Sequence, residues 1–242
     1  YNHQSLAVWN FDRAPWRARP AFCMDLRITY TDGSTQVVST GGDWKTSLSP
    51  IIANSIYTGE QYDARLEQPG WNTNSFDDAK WNGVSLRAAP SGNIVSQVMH
   101  PIRNVEEIAV KDLRKFNDTT FLFDLGRTIA GVTELKVKGP RGTVIRLKHT
   151  ERLYKNGRAD MSNIDVYHRP KDHTDPFQVD VFILKGEGEE VFMPKFNYKG
   201  FQYIEVSSSQ PVSLNKKSLM GYFMHSDVPA AGQMNSSNPL ID

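Results

Sequence analysis

Residues 22–38, FCMDLRITYTDGSTQVV, decide the fold class. One face of this stretch reads Phe22, Met24, Leu26, Ile28, Tyr30, and the other reads Cys23, Asp25, Arg27, Thr29. Alternation with period two predicts a half-buried β-strand, with Cys23 as a small buried or half-buried residue. The strand runs into Thr31-Asp32-Gly33-Ser34, where Gly33 can supply the positive φ of a tight turn, and residues 35–38 are predicted to return as a hairpin partner.

The same period recurs downstream. Residues 132–138 lead through Gly139-Pro140-Arg141-Gly142 into 143–149, which predicts a second hairpin. Further strands are expected at 6–10, 120–125, 177–184, 201–206 and 219–224. Gly186 and Gly188 in KGEGEE mark another hairpin turn, with Glu187, Glu189 and Glu190 solvated around it. Gly200 is expected to form a bulge that re-aims Phe201 and Tyr203. The best helix signal is Ser75-Phe76-Asp77-Asp78, a capping box for a short turn that ends at Gly83. The class is therefore all-β, built of β-sandwiches.

The 242 residues are enough for two β-domains. All five tryptophans (Trp9, Trp16, Trp44, Trp71, Trp81) precede residue 82, and Pro90-Ser91-Gly92 follows. That shift places a first domain at 1–95 and a second at 96–228, with 229–242 as a small, polar linker. A chain that opens Tyr-Asn-His and closes on such a tail reads as an excerpt of a longer polypeptide.

Charge and motifs narrow the function. With 28 basic and 27 acidic residues interspersed, no basic stripe is available to neutralise phosphates, which argues against a nucleic-acid partner. No apolar run is long enough to span a bilayer, and nothing marks a membrane partner. The lone Cys23 excludes an intrachain disulfide and multi-cysteine zinc, and leaves the compartment open between cytoplasm and export. Phosphate-loop, nucleophile-elbow and His-Glu-x-x-His motifs are missing. His149 and Glu151 read as solvated residues of one strand, and His168 and His173 as a lone loop pair.

Residues 57–71, YTGEQYDARLEQPGW, stand out chemically: Glu60, Asp63, Arg65 and Glu67 lie among Tyr57, Tyr62 and Trp71. Carboxylates among aromatic rings suit either a sugar or calcium site, or an ion-pair junction between two β-domains.

This segment and the SFDDAKWNGV that follows resemble the N-terminal β-domain of bacterial α-L-rhamnosidases, glycoside hydrolase family 78, as does LRITYTDGSTQVVSTGGDWKTSLSPI before it. FLFDLGRTIAGVTELKVKGPRGTVIRLKHTERL and DVFILKGEGEEVFMPKFNYKGFQYIEV are similar to the start and end of the next β-sandwich of these enzymes, and SSNPLID to the junction with the barrel beyond. The resemblance implies a first sandwich that is jelly-roll-like and truncated, a second that is antiparallel, and no catalytic residue here. Hydrolysis with inversion of terminal α-L-rhamnosyl residues would belong to carboxylates of a C-terminal catalytic α/α barrel of the same polypeptide.

Two roles are then expected. In one, the sandwiches support the barrel, with Glu60, Tyr62, Asp63, Arg65, Trp71, Asp124 and Arg127 as junction residues. In the other, the first domain binds rhamnose-containing glycans, with Trp9 or Trp16 as an apolar platform. Asn10, Asp12 and the Pro15 carbonyl would there ligate calcium. A β-sandwich adhesion or assembly module with no role in sugar hydrolysis is the alternative.

Overall fold

The computed structural model describes residues 21–89, 91–93, 95–165, 177–238 and 240. The expected strand at 6–10, the candidate ligands Trp9, Asn10, Asp12, Pro15 and Trp16, and His168 and His173 lie outside them.

The architecture is all-β. The first strands, β1 (Asp25–Thr29) and β2 (Thr35–Ser39), form the predicted hairpin, pairing Thr29 with Thr35. Gly33 takes φ +83°, and Asp32 Oδ1 accepts from the Ser34 amide at 2.8 Å. The ribbon is more exposed than the alternation suggests. Leu26 and Tyr30 are each 48% exposed, and Cys23 is an exposed free thiol rather than a buried one. Next come β3 (Lys45–Thr46), β4 (Ile51–Ser55) and β5 (Gly59–Asp63), and β3 pairs with β6 (Asn82–Gly83). The capping box at Ser75 forms no helix. Asp77 Oδ1 takes the Ala79 amide instead, and the segment runs as successive turns.

Beyond them follow β7 (Ile102–Ala109), β8 (Asp112–Asn117), β9 (Thr120–Lys138), β10 (Val144–Thr150), β11 (Arg152–Leu153) and β12 (Ala159–Asp160). The series ends with β13 (Val179–Ile183), β14 (Glu189–Phe192), β15 (Lys199–Ser208) and β16 (Leu219–Ser226). The spine is β9, one strand of 19 residues where two were expected. Its first half pairs with β8 and β15; its second half pairs with β16 and β14. Gly126, at φ +79° with its amide on Asp124 Oδ1 at 2.6 Å, lies between the halves. One apolar core draws Phe121, Phe123 and Leu125 from the first half and Leu135 and Val137 from the second. Ile145, Leu147, Phe182, Ile204 and Val206 complete its middle.

Two predicted hairpins are instead crossings between sheet regions. The 139–142 turn joins β9 to β10, yet β10 pairs with β13 and β15. The Gly186–Gly188 turn joins β13 to β14, yet β14 pairs with β9. A tight turn specifies only a change of direction; which edge the next strand meets is decided by the core. Glu190 is also buried rather than solvated, because its carboxylate accepts the amides of Lys185 and Gly186 at 2.9 and 2.8 Å. The register of β15 slips between Phe201 and Tyr203, just beyond Gly200.

The sheet does not stop at the second half of the chain. β5 adds to β13 as a parallel strand, pairing Gln61 with Val181, Tyr62 with Phe182 and Asp63 with Ile183, and β4 pairs antiparallel outside it. A single ten-stranded sheet therefore contains residues from both sides of position 95. No helix among the described residues is long and apolar enough to cross a membrane.

Candidate functional site

The charged residues of the sheet converge where β5 meets β13. Asp180 is wholly buried; its Oδ1 accepts the Glu60 amide at 2.8 Å. Lys199 Nζ, from β15, lies 2.8 Å from Asp180 Oδ2, with the angles of a charge contact rather than of a hydrogen bond. Lys199 also donates to Asn197 Oδ1. Glu60, equally buried, accepts at Oε2 from Asn54 Nδ2 at 3.1 Å and from the Lys195 amide at 3.2 Å. Burial first, and then the Asp180 charge, push its carboxyl above the usual range.

His149 closes the cluster from β10. Gln178 O, 3.3 Å from Nδ1, can only accept, so Nδ1 carries the proton and Nε2 accepts from the Thr133 hydroxyl at 3.0 Å. Burial, reinforced by Lys199, lowers this imidazole to about 4, so it is neutral near pH 7. The solvated reading of His149 is therefore corrected: the strand turns it inward, edge-on to Phe201 at 4.7 Å. Gln178 holds a positive φ of 53°, unique among the described non-glycine residues, and bonds to His149 O and to Gly200 on both sides. Such strain persists only where surrounding bonds over-determine it.

A second layer lies outward along β5. Tyr62 packs against Phe182 and Phe192 at ring distances of 6.0 and 6.1 Å, and its hydroxyl donates to Glu67 Oε1 at 2.9 Å. Burial and this carboxylate push the phenol pKa up. Glu67 Oε2 meets Lys185 Nζ at 2.7 Å. Asp63 caps the short turn Ala64–Leu66 and holds Arg65 through both carboxylate oxygens, at 2.8 and 2.7 Å. This bidentate hydrogen bonding keeps the Asp63 carboxyl below the usual range, although partial burial opposes it. Asp63 and Arg65 thus pair with each other. Farther off, Asp124 accepts from Gln202 Nε2 at 3.0 Å, and Arg127 pairs with Glu106 over the Phe223 ring.

Two depressions flank Tyr62 and Lys195. One, of about 540 Å3, has mainly apolar walls that include Val132, Phe192 and Met224. The other, of about 620 Å3, lies between the 45–51 segment, the 67–72 turn and Phe196, with Trp71 and Trp81 on its wall. Among the described residues, Glu67 is the only carboxylate residue lining either of them, and it is already held by Tyr62 and Lys185. The carboxylates that do cluster, Glu60 and Asp180, are sealed in the sheet. Among the described residues, no group of three or more His, Cys, Asp or Glu side chains is placed to hold a metal.

Family models divide the chain between residues 106 and 114. The α-L-rhamnosidase N-terminal domain matches residues 1–106, and the bacterial α-L-rhamnosidase concanavalin-like domain matches 114–225. The chain belongs to the bacterial α-L-rhamnosidase family. It is 32% identical to an α-L-rhamnosidase of Streptomyces avermitilis over 93% of its own length and 21% of that protein. It is 29% identical to one of an Alteromonas species over 92% of the chain and 24% of the relative. Among solved structures, the α-L-rhamnosidase of Dictyoglumus thermophilum superposes with a TM-score of 0.79 at 32% identity, over 90% of this chain and 24% of that one. That of Aspergillus terreus gives 0.75 at 33% identity, over 90% and 24%. The chain thus spans about a fifth to a quarter of these relatives and corresponds to their N-terminal and concanavalin-like domains.

The two rhamnosidase domain models meet inside one hydrogen-bonded sheet: β4 and β5 fall in the first, β13 and β15 in the second. Of the expected junction residues, Glu60, Tyr62, Asp63 and Arg65 gather at this seam. Trp71 lines the outer groove, and Asp124 and Arg127 sit elsewhere, around the bend of β9. Asp180, Lys199 and His149 were not legible as partners. Each sits in an ordinary alternating strand, and the one available signal was an acid and a lysine at inward-facing positions, where apolar residues are the rule.

Proposed function

We propose that the chain is the accessory region of an α-L-rhamnosidase, a β-platform on which a C-terminal catalytic α/α barrel of the same polypeptide rests. The whole enzyme would hydrolyse terminal α-L-rhamnosyl residues with inversion. The colinear match to the N-terminal and concanavalin-like domains of α-L-rhamnosidases, which make up only about a fifth of the Streptomyces relative's length, carries this reading. The charged seam serves rigidity in this reading, fixing the first domain on the second so that both present one surface to the barrel. Domain limits of 1–95 and 96–228, followed by a linker at 229–242, belong to the same proposal, with the seam crossing the first boundary.

The loop holding Asn10, Asp12, Pro15 and Trp16, with Trp9 beside it, is the proposed calcium-dependent rhamnose site of the first domain. The purified 242-residue chain should leave p-nitrophenyl-α-L-rhamnoside intact. Turnover abolished by a single carboxylate substitution would sink the non-catalytic reading. For the loop, calorimetry should show rhamnose binding that EDTA removes, and silence at millimolar sugar with calcium present would retire that site alone.

A further inference from the structure

The outer groove has the features of a ligand site distinct from the seam. Its volume, about 620 Å3, lies within the range of small-molecule sites. Trp71 is 62% exposed, and no described side chain partners its indole N–H. It is nonetheless held in place: Gly70 takes φ +78°, Gly70 O accepts from Thr73 N and Oγ1 at 2.9 and 2.7 Å, and the Trp71 amide donates to Gln68 O at 3.2 Å. Gln68 also fixes Trp81 through Nε1 at 2.9 Å and reaches Ser47 Oγ at 2.9 Å. Opposite stands Phe196, 56% exposed, on backbone that the Lys195 amide anchors to Glu60. An exposed aromatic on a braced turn binds flat apolar faces at little entropic cost.

Charge decides the occupant. Among the described residues, three charged side chains line the groove: Lys45, Glu67 and Lys195. Lys45 is paired with Asp78 at 2.7 Å, and Glu67 with Lys185 at 2.7 Å. Lys195 has no ion-pair partner among the described residues, so the groove carries one uncompensated positive charge. The Asn72 amide, likewise without a described side-chain partner, adds a donor and an acceptor at the rim. A flat ring with an apolar face, equatorial hydroxyls and a carboxylate complements all three features. The geometry points to a subsite for a uronic-acid residue of a glycan: its ring lies on Trp71, its carboxylate meets Lys195 and its hydroxyls meet Asn72. Choosing a saccharide over another flat acid rests on the rhamnosidase reading above; the Trp71–Lys195 arrangement does not.

The test follows the indole N–H resonances of the intact chain by NMR. Methyl glycosides of glucuronic and galacturonic acid are titrated against those of glucose and galactose, which differ only at C6. At least one uronide should shift the Trp71 signal with a dissociation constant on the order of millimolar. It should bind about two- to fivefold tighter than its neutral twin, as suits one exposed ion pair. Trp71→Ala should weaken binding at least about tenfold, Trp71→Phe should restore part of it, and Lys195→Met should erase only the acid preference. EDTA should change nothing, which separates this groove from the 10–16 loop. No Trp71 shift with either uronide, an acid preference that survives Lys195→Met, or binding that EDTA removes would each overturn the assignment. Failure here leaves the non-catalytic reading intact, because that is read by rhamnoside turnover.

Discussion

Replacing Lys199 with Met keeps the bulk of the side chain and removes one buried charge. The consequence can be worked from the seam. At 2.8 Å and an effective dielectric of about 20, the Lys199–Asp180 attraction is about 6 kcal/mol. Leaving the lysine out of the interior recovers several kcal/mol of desolvation, but Asp180 then stays buried beside Glu60 without its cation. A net loss of about 3–5 kcal/mol is expected, a large share of the roughly 5–15 kcal/mol that holds a domain folded. Urea unfolding followed by tryptophan fluorescence and far-ultraviolet circular dichroism reads this directly. Pairing Lys199→Met with Asp180→Asn should recover part of the loss, since the second change removes the stranded charge. A single Lys199→Met variant within about 1 kcal/mol of the parent chain would refute the idea that this pair stabilises the strand on which β5 docks through the Glu60 amide.

Other perturbations test neighbouring parts. His149, lowered from 6.5 to about 4 by burial, is neutral when folded and accepts a proton more readily when unfolded. Stability should therefore be complete above pH 6.5 and fall by about 3 kcal/mol as pH drops towards 4; His149→Gln should flatten that slope in pH-dependent unfolding. Glu60 acts in the opposite sense. Its folded value is raised by burial, so the stability present below 4.5 declines as pH rises through the folded value, and Glu60→Gln should remove the decline. Gly59→Ala should disrupt the seam, because at φ +118° its Cβ would meet the Val179 carbonyl; fast proteolysis between 50 and 66 is the readout. Glu205 is held ionised by the Arg158 fork at 2.8 and 2.8 Å and by the Ala159 amide, despite its burial. Glu205→Gln should cost about 1–2 kcal/mol in the same urea titration.

How far the sequence carried this reading depended on the range of the signal. The 22–38 hairpin was legible because Asp32-Gly33 and the flanking alternation are local. The all-β class was legible for the same reason, repeated along the chain. The unbroken course of β9 was not: separate strands were expected at 120–125 and 132–138, whereas one strand runs on past Gly126, which takes a positive φ. The turns at 139–142 and 186–188 carried correct glycine signals but no information about which strand would be the next neighbour. At the seam, Glu60, Tyr62, Asp63 and Arg65 were conspicuous as a cluster within 15 residues. Their partners Asp180 and Lys199 come from more than 100 residues away, and parallel pairing of β5 with β13 leaves no turn between them to read. The Trp71 groove was half legible: its aromatic and its glycine turn were plain, but Lys195 and Phe196 reach it only through the folded sheet.

The central claim is that β4 and β5, from the first rhamnosidase domain, belong to the sheet of the second. Native-state hydrogen exchange measured by mass spectrometry addresses it most directly, by comparing peptides covering 58–63 and 179–183. Both should open with the same free energy and lose protection together in Lys199→Met. If 58–63 exchanges through a separate, much lower-energy opening while 179–183 stays protected, the seam is a loose contact and the platform is two independent bodies.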